Sequence, residues 1–294
     1  MPAAILPPMD RRTFLSVSAL GAAALVFGYE SHAAQDTLHL AMLADTHIPA
    51  DRLPGARGYS GYEQLKSIVP DLIATKADGL VVAGDIAQLE GMKEDYAVFF
   101  EIMKPVSDVM PAYIALGNHD DRDNFFAMAG EVPGNRQKVE DKHVTVIEHA
   151  AARVILLDSL MYVRKRGGFL GKAQREWLAT YLAEHTDRPV ALVFHHTLGD
   201  GDNDLLDVER LFRLLEPHTH VKALFYGHSH RWEIAERQGI RIVNLPTSAH
   251  IWDQVQPIGW VETRFRPDGM ELTLHAINGN KSEDGKVFDL PWLK

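Results

Sequence analysis

The chain has 294 residues, 46% of them apolar, which allows one large domain or two small ones with a substantial core. A formal charge of −10 repels phosphate backbones, so no nucleic-acid polymer is expected as a partner and an anionic substrate must be drawn in by local positive charge. The chain has no cysteine, which excludes disulfides, thiolate metal sites and cysteine nucleophiles; any metal must be held by oxygen and imidazole nitrogen.

Residues 1–33 read as an export signal. Asp10-Arg11-Arg12-Thr13-Phe14-Leu15 leads into a mildly apolar stretch from Ser16 to Phe27, too short to span a bilayer of roughly 30 Å. Ser31-His32-Ala33 places small residues where a signal peptidase reads them, so cleavage is expected after Ala33, with Ala34 the neighbouring option. Paired arginines followed by x-Phe-Leu are similar to a bacterial twin-arginine signal, with Asp10 and Ser16 departing from its usual pattern. An ordinary secretory signal and an uncleaved anchor are the alternative readings. The twin-arginine reading implies export of a folded, metal-loaded protein to the periplasm. Processing would leave no membrane span, and residues 34–294 would form the working domain.

From Leu38 onward, short apolar runs alternate with helical patterns. Leu38 to Ala44, Gly79 to Ala83, Ala112 to Leu116, Arg153 to Leu157, Val190 to Phe194 and Val221 to Tyr226 read as buried strands from their length and Val/Ile/Leu content. Tyr62 to Thr75, Glu90 to Met103, Lys172 to Glu184 and Asp204 to Glu216 read as helices from the spacing of apolar residues. The alternation predicts a layered α/β fold. After Gly227 come strands without helices: Trp232 to Arg237, Gly239 to Leu245, Ile258 to Arg264 and Met270 to Ile277, separated by turn signals. These are expected to form a second sheet packed on the first, within one domain.

Five motifs close apolar runs: Asp45-x-His47, Gly84-Asp85, Gly117-Asn118-His119-Asp120, His195-His196 and Gly227-His228-Ser229-His230. In open α/β sheets ligands bind beyond the carboxyl ends of the strands, and each motif sits at such an end. The i, i+2 spacing of Asp-x-His and His-x-His lets both side chains leave an extended or turning backbone on one side. Carboxylate, imidazole and amide donors without sulfur suit Mn, Fe, Zn or Co, and this many donors suit two adjacent ions sharing an Asp. Taken singly, a strand-ending Asp is more often a cap and a lone His a satisfied core residue. Their joint occurrence at strand ends carries the reading.

With these motifs the chain resembles the calcineurin-like metallophosphoesterase superfamily, over roughly Leu38 to Asn278. The resemblance implies a four-layer α/β/β/α sandwich with mixed sheets and a dinuclear site. It implies that Asp45, His47 and His230 bind the first metal, that Asn118, His195 and His228 bind the second, and that Asp85 bridges both. His119 would be a catalytic non-ligand that contacts the phosphate and assists the leaving group. Asp121-Arg122, Leu157-Asp158-Ser159, Phe169-Leu170-Gly171 with Gln174 and Trp177-Leu178, and Pro246-Thr247-Ser248-Ala249-His250 resemble class III cyclic-nucleotide phosphodiesterases and bacterial glycerophosphodiesterases. Two features depart from that branch: Thr197 stands where Pro usually follows the His-His pair, and an acidic run from Gly199 to Asp204 comes after it. Gln88 is not the Tyr that marks purple acid phosphatases.

The reaction this implies is hydrolysis of a small phosphate ester, a diester in the first instance. Two cations roughly 3.5 to 4 Å apart acidify a bridging water, and the resulting hydroxide attacks phosphorus in line with the leaving alkoxide. A phosphomonoesterase or nucleotidase would use the same site. A non-catalytic scaffold of the same fold is the alternative of another class. Asn118, Arg122 and His250 are candidate substrate contacts, with a surface ion pair the equal alternative for Arg122. His218-Thr219-His220 has ligand spacing but precedes its strand, on the wrong edge of the sheet. His196 is read as supporting His195. Asp200 to Asp207 reads as a solvated loop capping a helix at Asp204, with calcium binding the alternative.

Overall fold

The computed structural model describes residues 36–293, apart from 56–57 and 131–132. The export-signal reading of residues 1–33 lies outside the described residues. The described residues form strands β1 (Leu38–Leu43), β2 (Gly79–Ala83), β3 (Ala112–Ala115), β4 (Asn135–Val139), β5 (Lys142–Glu148), β6 (Arg153–Leu156), β7 (Val190–Val193) and β8 (Val221–Tyr226). Strands β9 (Glu233–Arg237), β10 (Ile240–Asn244), β11 (Pro257–Arg266), β12 (Gly269–Gly279) and β13 (Val287–Pro291) follow. The helices are α1 (Gly61–Thr75), α2 (Lys93–Ser107), α3 (Arg122–Ala129), α4 (Lys172–Glu184) and α5 (Val208–Leu215).

Strand alternation builds the layers. In β1, Leu38, Leu40 and Met42 point into one core cluster while Ala41 and Leu43 point into another. In β8, Ala223 and Phe225 join the first cluster, and Leu224 and Tyr226 a third. A period of two with apolar residues on both faces means that each sheet is covered on both sides. The first cluster lies between the sheets; the second lies under α1, α2 and α3, and the third under α4 and α5. The result is the expected α/β/β/α sandwich.

Sheet membership differs from the sequence expectation. One sheet runs β13-β12-β11-β1-β2-β3 and the other β4-β5-β6-β7-β8-β10-β9. The strands after Gly227 therefore do not form a sheet of their own. β10 pairs parallel to β8, with β9 at the edge, whereas β11 returns to pair antiparallel with β1. Both sheets are mixed, and the motif-bearing strands divide between them: β1, β2 and β3 in one, β7 and β8 in the other. The hairpin β4–β5, helix α3 and strand β13 were not anticipated; β4 and β13 alternate exposed and half-buried residues, the weakest form of the strand pattern.

Helix boundaries moved where local chemistry decided them. Helix α1 begins after Ser60, whose hydroxyl accepts from Glu63 N at 3.2 Å. Helix α5 begins at Val208, and Asp204 does not cap it. Asp204 instead closes its own turn by accepting from Gly201 N. Asp207, at the cap position, spends its carboxylate on Leu170 N, Gly171 N and Arg175, tying this loop to the start of α4.

Candidate metal centre

The carboxyl ends of β1, β2 and β3 meet those of β7 and β8 across the sandwich. Asp45 N and His47 N donate to Gly84 O and Asp85 O, so the first two loops leave their strands together. The segment from Pro246 to His250 crosses from β10 to β1, where Ser248 Oγ and Thr247 Oγ1 donate to the carbonyls of Ala44 and Asp45. A cleft of about 990 Å³ opens over this junction, lined by His47, Asp85, Asn118, His119, His228 and His230 among others.

The backbone at these ends turns sharply. Asp45 (φ 54°), His47 (43°), Asp85 (52°), His228 (67°) and His230 (54°) all occupy the left-handed region. Each such residue costs on the order of 1 kcal/mol or more and persists only where its surroundings enforce it. The i, i+2 pairs thus converge through two left-handed residues, not along an extended strand. Glycines clear the space: a Cβ on Gly117 would collide with the Asp85 carboxylate, and one on Gly227 with that of Asp45.

The donor atoms converge. Asp85 Oδ2 lies 3.2 Å from His195 Nε2 and 3.8 Å from His47 Nε2, and Asp45 Oδ1 lies 3.3 Å from His230 Nε2. Among the described residues three groups are close enough to share an ion: His47, His230 and His250; His47, Asp85 and His119; and Asp85, His195 and His228. Asp85 belongs to two of them, the position a shared ligand needs. Its other oxygen accepts from His119 N at 2.8 Å, which fixes the carboxylate. Asn118 Oδ1 is buried and has no hydrogen-bond partner among the described residues, an acceptor left for a cation to satisfy.

Backbone carbonyls fix the imidazole tautomers. Carbonyls only accept, so each takes a proton from the ring nitrogen it meets: His47 Nδ1 to Gln88 O (3.2 Å), His195 Nδ1 to Ala83 O (2.8 Å), His228 Nε2 to Asn203 O (2.9 Å) and His230 Nδ1 to His250 O (2.6 Å). The opposite nitrogens then face one another, His47 Nε2 and His230 Nε2 at 3.1 Å and His195 Nε2 and His228 Nδ1 at 3.2 Å. Two lone pairs at that distance repel unless a positive charge lies between them. A proton or a metal ion can supply it.

The titration behaviour fits this need. Burial alone would lower His195, but the charges of Asp85 and Asp45 raise it to about 9, and Asp45 likewise raises His230 against burial. Their partners go the other way: burial lowers His47 to about 3 and His228 to about 4. Burial would raise both carboxyls, yet the surrounding histidines hold Asp45 at about 2 and Asp85 well below its usual range. His195 therefore holds a proton against the Asp85 carboxylate, Asp45 draws His230 toward its protonated form, and divalent ions can displace such protons. All seven positions read from the sequence surround this centre, and their residue types and tautomers fit metal ions.

The remaining candidates divide. His119 borders the cleft with Nδ1 on Leu89 O (2.9 Å) and Nε2 3.9 Å from Asp85 Oδ2. His250 also lines the cleft, its ring 5.0 Å from that of His47. Arg122 does not: its guanidinium grips buried Asp158 through two nitrogens, at 2.7 and 2.8 Å, and also meets the carbonyls of Leu160 and Met161. Neither reading holds as made: the contact is an ion pair, but with fully buried Asp158 and not at the surface, because Asp158 would otherwise be a buried, uncompensated charge. His196 is fully buried with Nδ1 2.7 Å from Ser159 Oγ, packed against the His195 and His228 rings.

Sequence reasoning missed two sets of groups. The first is the row of carbonyls that orient the imidazoles, which no side-chain motif announces. The second is Asp120, which accepts from Ile86 N, Ala87 N, Gly117 N and Tyr96 Oη and so locks the Asp85 loop to the Asn118 loop. Its place in Gly-Asn-His-Asp was the available signal.

Over 254 residues the chain is 27% identical to a 3′,5′-cyclic adenosine monophosphate phosphodiesterase, CpdA, of Haemophilus influenzae, covering 81% of this chain and 89% of the relative. It is 26% identical to the glycerophosphodiester phosphodiesterase GpdQ of Enterobacter lignolyticus over 60% of this chain and 64% of that protein. A dimetal phosphatase from Danio rerio has the same fold, with a TM-score of 0.66 at 12% identity over 87% of this chain and 99% of that one. Residues 38–232 match the family model described as calcineurin-like phosphoesterase, a span that holds all seven ligand positions read from the sequence, and the chain belongs to that family.

Proposed function

We propose that this protein hydrolyses small phosphodiesters, of the cyclic-nucleotide or glycerophosphodiester type, at a pair of metal ions held by Asp45, His47 and His230 on one side and Asn118, His195 and His228 on the other, with Asp85 shared. The observation that carries the reading is the placement of Asp85 Oδ2 between two imidazole pairs whose inner nitrogens need positive charge between them. The phosphodiesterase names of the relatives support the choice of ester.

Bound ions would supply Lewis acidity toward the phosphate and acidified water for the attack. The chain's own residues do the rest. The carbonyls of Gln88, Ala83, Asn203 and His250 keep the ligand nitrogens pointed inward. Asn118 is positioned to offer its unpartnered oxygen to an ion. His119 keeps one ring proton on Leu89 O and turns Nε2 to the cleft. As the oxygen of a water that has given up one proton to solvent bonds to phosphorus and the phosphorus–alkoxide bond breaks, a proton on His119 Nε2 passes to the departing oxygen, and the ring is reprotonated from solvent.

The test is turnover of bis(p-nitrophenyl) phosphate against p-nitrophenyl phosphate by protein loaded with Mn, Zn or Fe. The diester is expected to be preferred. A clear monoester preference overturns the diesterase reading, and no hydrolysis with fewer than two ions per chain returns the chain to the scaffold class. We further propose that residues 1–33 direct export to the periplasm by the twin-arginine route. N-terminal sequencing of the mature protein checks this, and an intact residue 1 in that fraction refutes it.

A further inference from the structure

Residues 161–168 form a loop beside the cleft that is fixed at both ends. Arg164 N donates to Asn118 O at 2.6 Å, and the Arg164 guanidinium pairs at 2.6 Å with Glu90, next to Leu89, whose carbonyl holds the His119 ring. Further on, Gly168 N donates to Asp204 O at 2.9 Å, beside Asn203, whose carbonyl orients His228. A Cβ on Gly168 would collide with the His196 ring, so the chain here lies close against the histidines. The loop is thus tied to Asn118, to the segment that holds His119 and to the support of His228.

Arg166 stands between these anchors, exposed, on the wall of the cleft. Among the described residues its guanidinium has no ion pair, whereas those of Arg122, Arg153, Arg164 and Arg175 each meet a carboxylate. Carboxylates are in excess in this chain, 40 against 30 basic residues, and Asp204 lines the same cleft, yet its Oδ2 accepts from Gly201 N instead. An arginine left without a carboxylate beside the metal centre is open to a ligand. Its guanidinium stays charged at every working pH and presents a planar fork of donors that fits a carboxylate through two bonds.

The reacting diester brings one negative charge, which the ions would take. What Arg166 can accept is a second one, and a cleft of about 990 Å³ has room for a substrate larger than a single phosphate. A terminal phosphate would compete with the diester for the ions, and Asp204 and Glu233 on the walls oppose its double charge. A carboxylate carries one charge and matches the fork. Resting on the phosphodiesterase reading, we propose that Arg166 is a specificity-determining residue that pairs with a carboxylate on the substrate arm nearest His119, so that this cleft prefers diesters with an anionic arm.

The experiment compares wild type, Arg166→Ala and Arg166→Lys, all metal-loaded, on glycerophosphoserine and glycerophosphoethanolamine, which differ by one carboxylate. Wild type is expected to favour the serine ester. Arg166→Ala should lower its kcat/KM by about fivefold, chiefly through KM, with Arg166→Lys recovering part of the loss, while the ethanolamine ester changes less than about twofold. Equal losses on both esters would make Arg166 a support of the loop or of the reacting phosphate, and unchanged kinetics on both would make it a solvated side chain; either overturns the proposal. Calorimetry of O-phosphoserine and O-phosphoethanolamine binding to the same proteins gives a readout apart from turnover. If the wild type hydrolyses neither ester, the phosphodiesterase reading fails and this binding decides the role of Arg166: a preference of about fivefold for O-phosphoserine that Arg166→Ala abolishes upholds it, and equal affinity or no binding of either ends it.

Discussion

Strand β8 carries a His-x-His pair at each end, and the two pairs behave differently. His228 and His230, beyond its carboxyl end, each have one ring nitrogen tied to a carbonyl and the other turned toward Asp45, His195 or His47. His218 and His220, before its amino end, face each other at 5.8 Å in an edge arrangement; burial lowers both, and neither joins a group of potential ligands among the described residues. Spacing is the same in both. What separates them is that the carboxyl ends of strands from two sheets bring Asp45 to 3.3 Å from His230, whereas among the described residues neither His218 nor His220 forms an ion pair with a carboxylate.

The comparison breaks most visibly at Asp85. Asp85→Ala removes the group common to two ligand sets, so metal content measured by ICP-MS should fall below two ions per chain and turnover by at least about 10³-fold. Retention of both ions would refute the shared-ligand assignment. His119→Ala is expected to lower kcat by about 10²-fold or more with metal content unchanged. Loss of a metal in that variant would instead make His119 a ligand.

The pH dependence sharpens the same contrast. Asp85 raises His195 to about 9, so near neutral pH that ring holds a proton in the metal-free protein, and Asp45 shifts His230 in the same direction. Metal binding must then expel protons, and affinity should weaken as pH falls, by about tenfold per pH unit for each proton displaced. Calorimetry in buffers of different ionisation enthalpy counts those protons, and a pH-independent affinity would contradict the lone-pair geometry. The smallest effect is at the other end of β8, where His218→Ala and His220→Ala should each change kcat and metal content by less than about twofold.

Much of the fold was legible locally. The helix from Lys172 to Glu184 and the strands Gly79–Ala83 and Val221–Tyr226 fall where apolar spacing puts them. β4 and β13 were not legible, because they alternate exposed and half-buried residues and so give almost no periodic signal. Arg122 could not be assigned, since a guanidinium suits a phosphate or a carboxylate equally well. Only the long-range approach of Asp158 decided which it meets.

By itself, the sequence determined the donor set, its position at strand ends and the layered α/β class, because these depend on residue type and on periodicity within a few residues. Tertiary structure alone decided that β9 and β10 extend one sheet while β11 to β13 complete the other, and that the site lies where the two meet. A strand's pattern reports that both its faces are buried but not by what, since hydrogen-bonded edges accept any partner of matching register. The same limit hid the carbonyls that set the imidazole tautomers. Every residue has a carbonyl, and only the folded chain determines which ones a histidine meets.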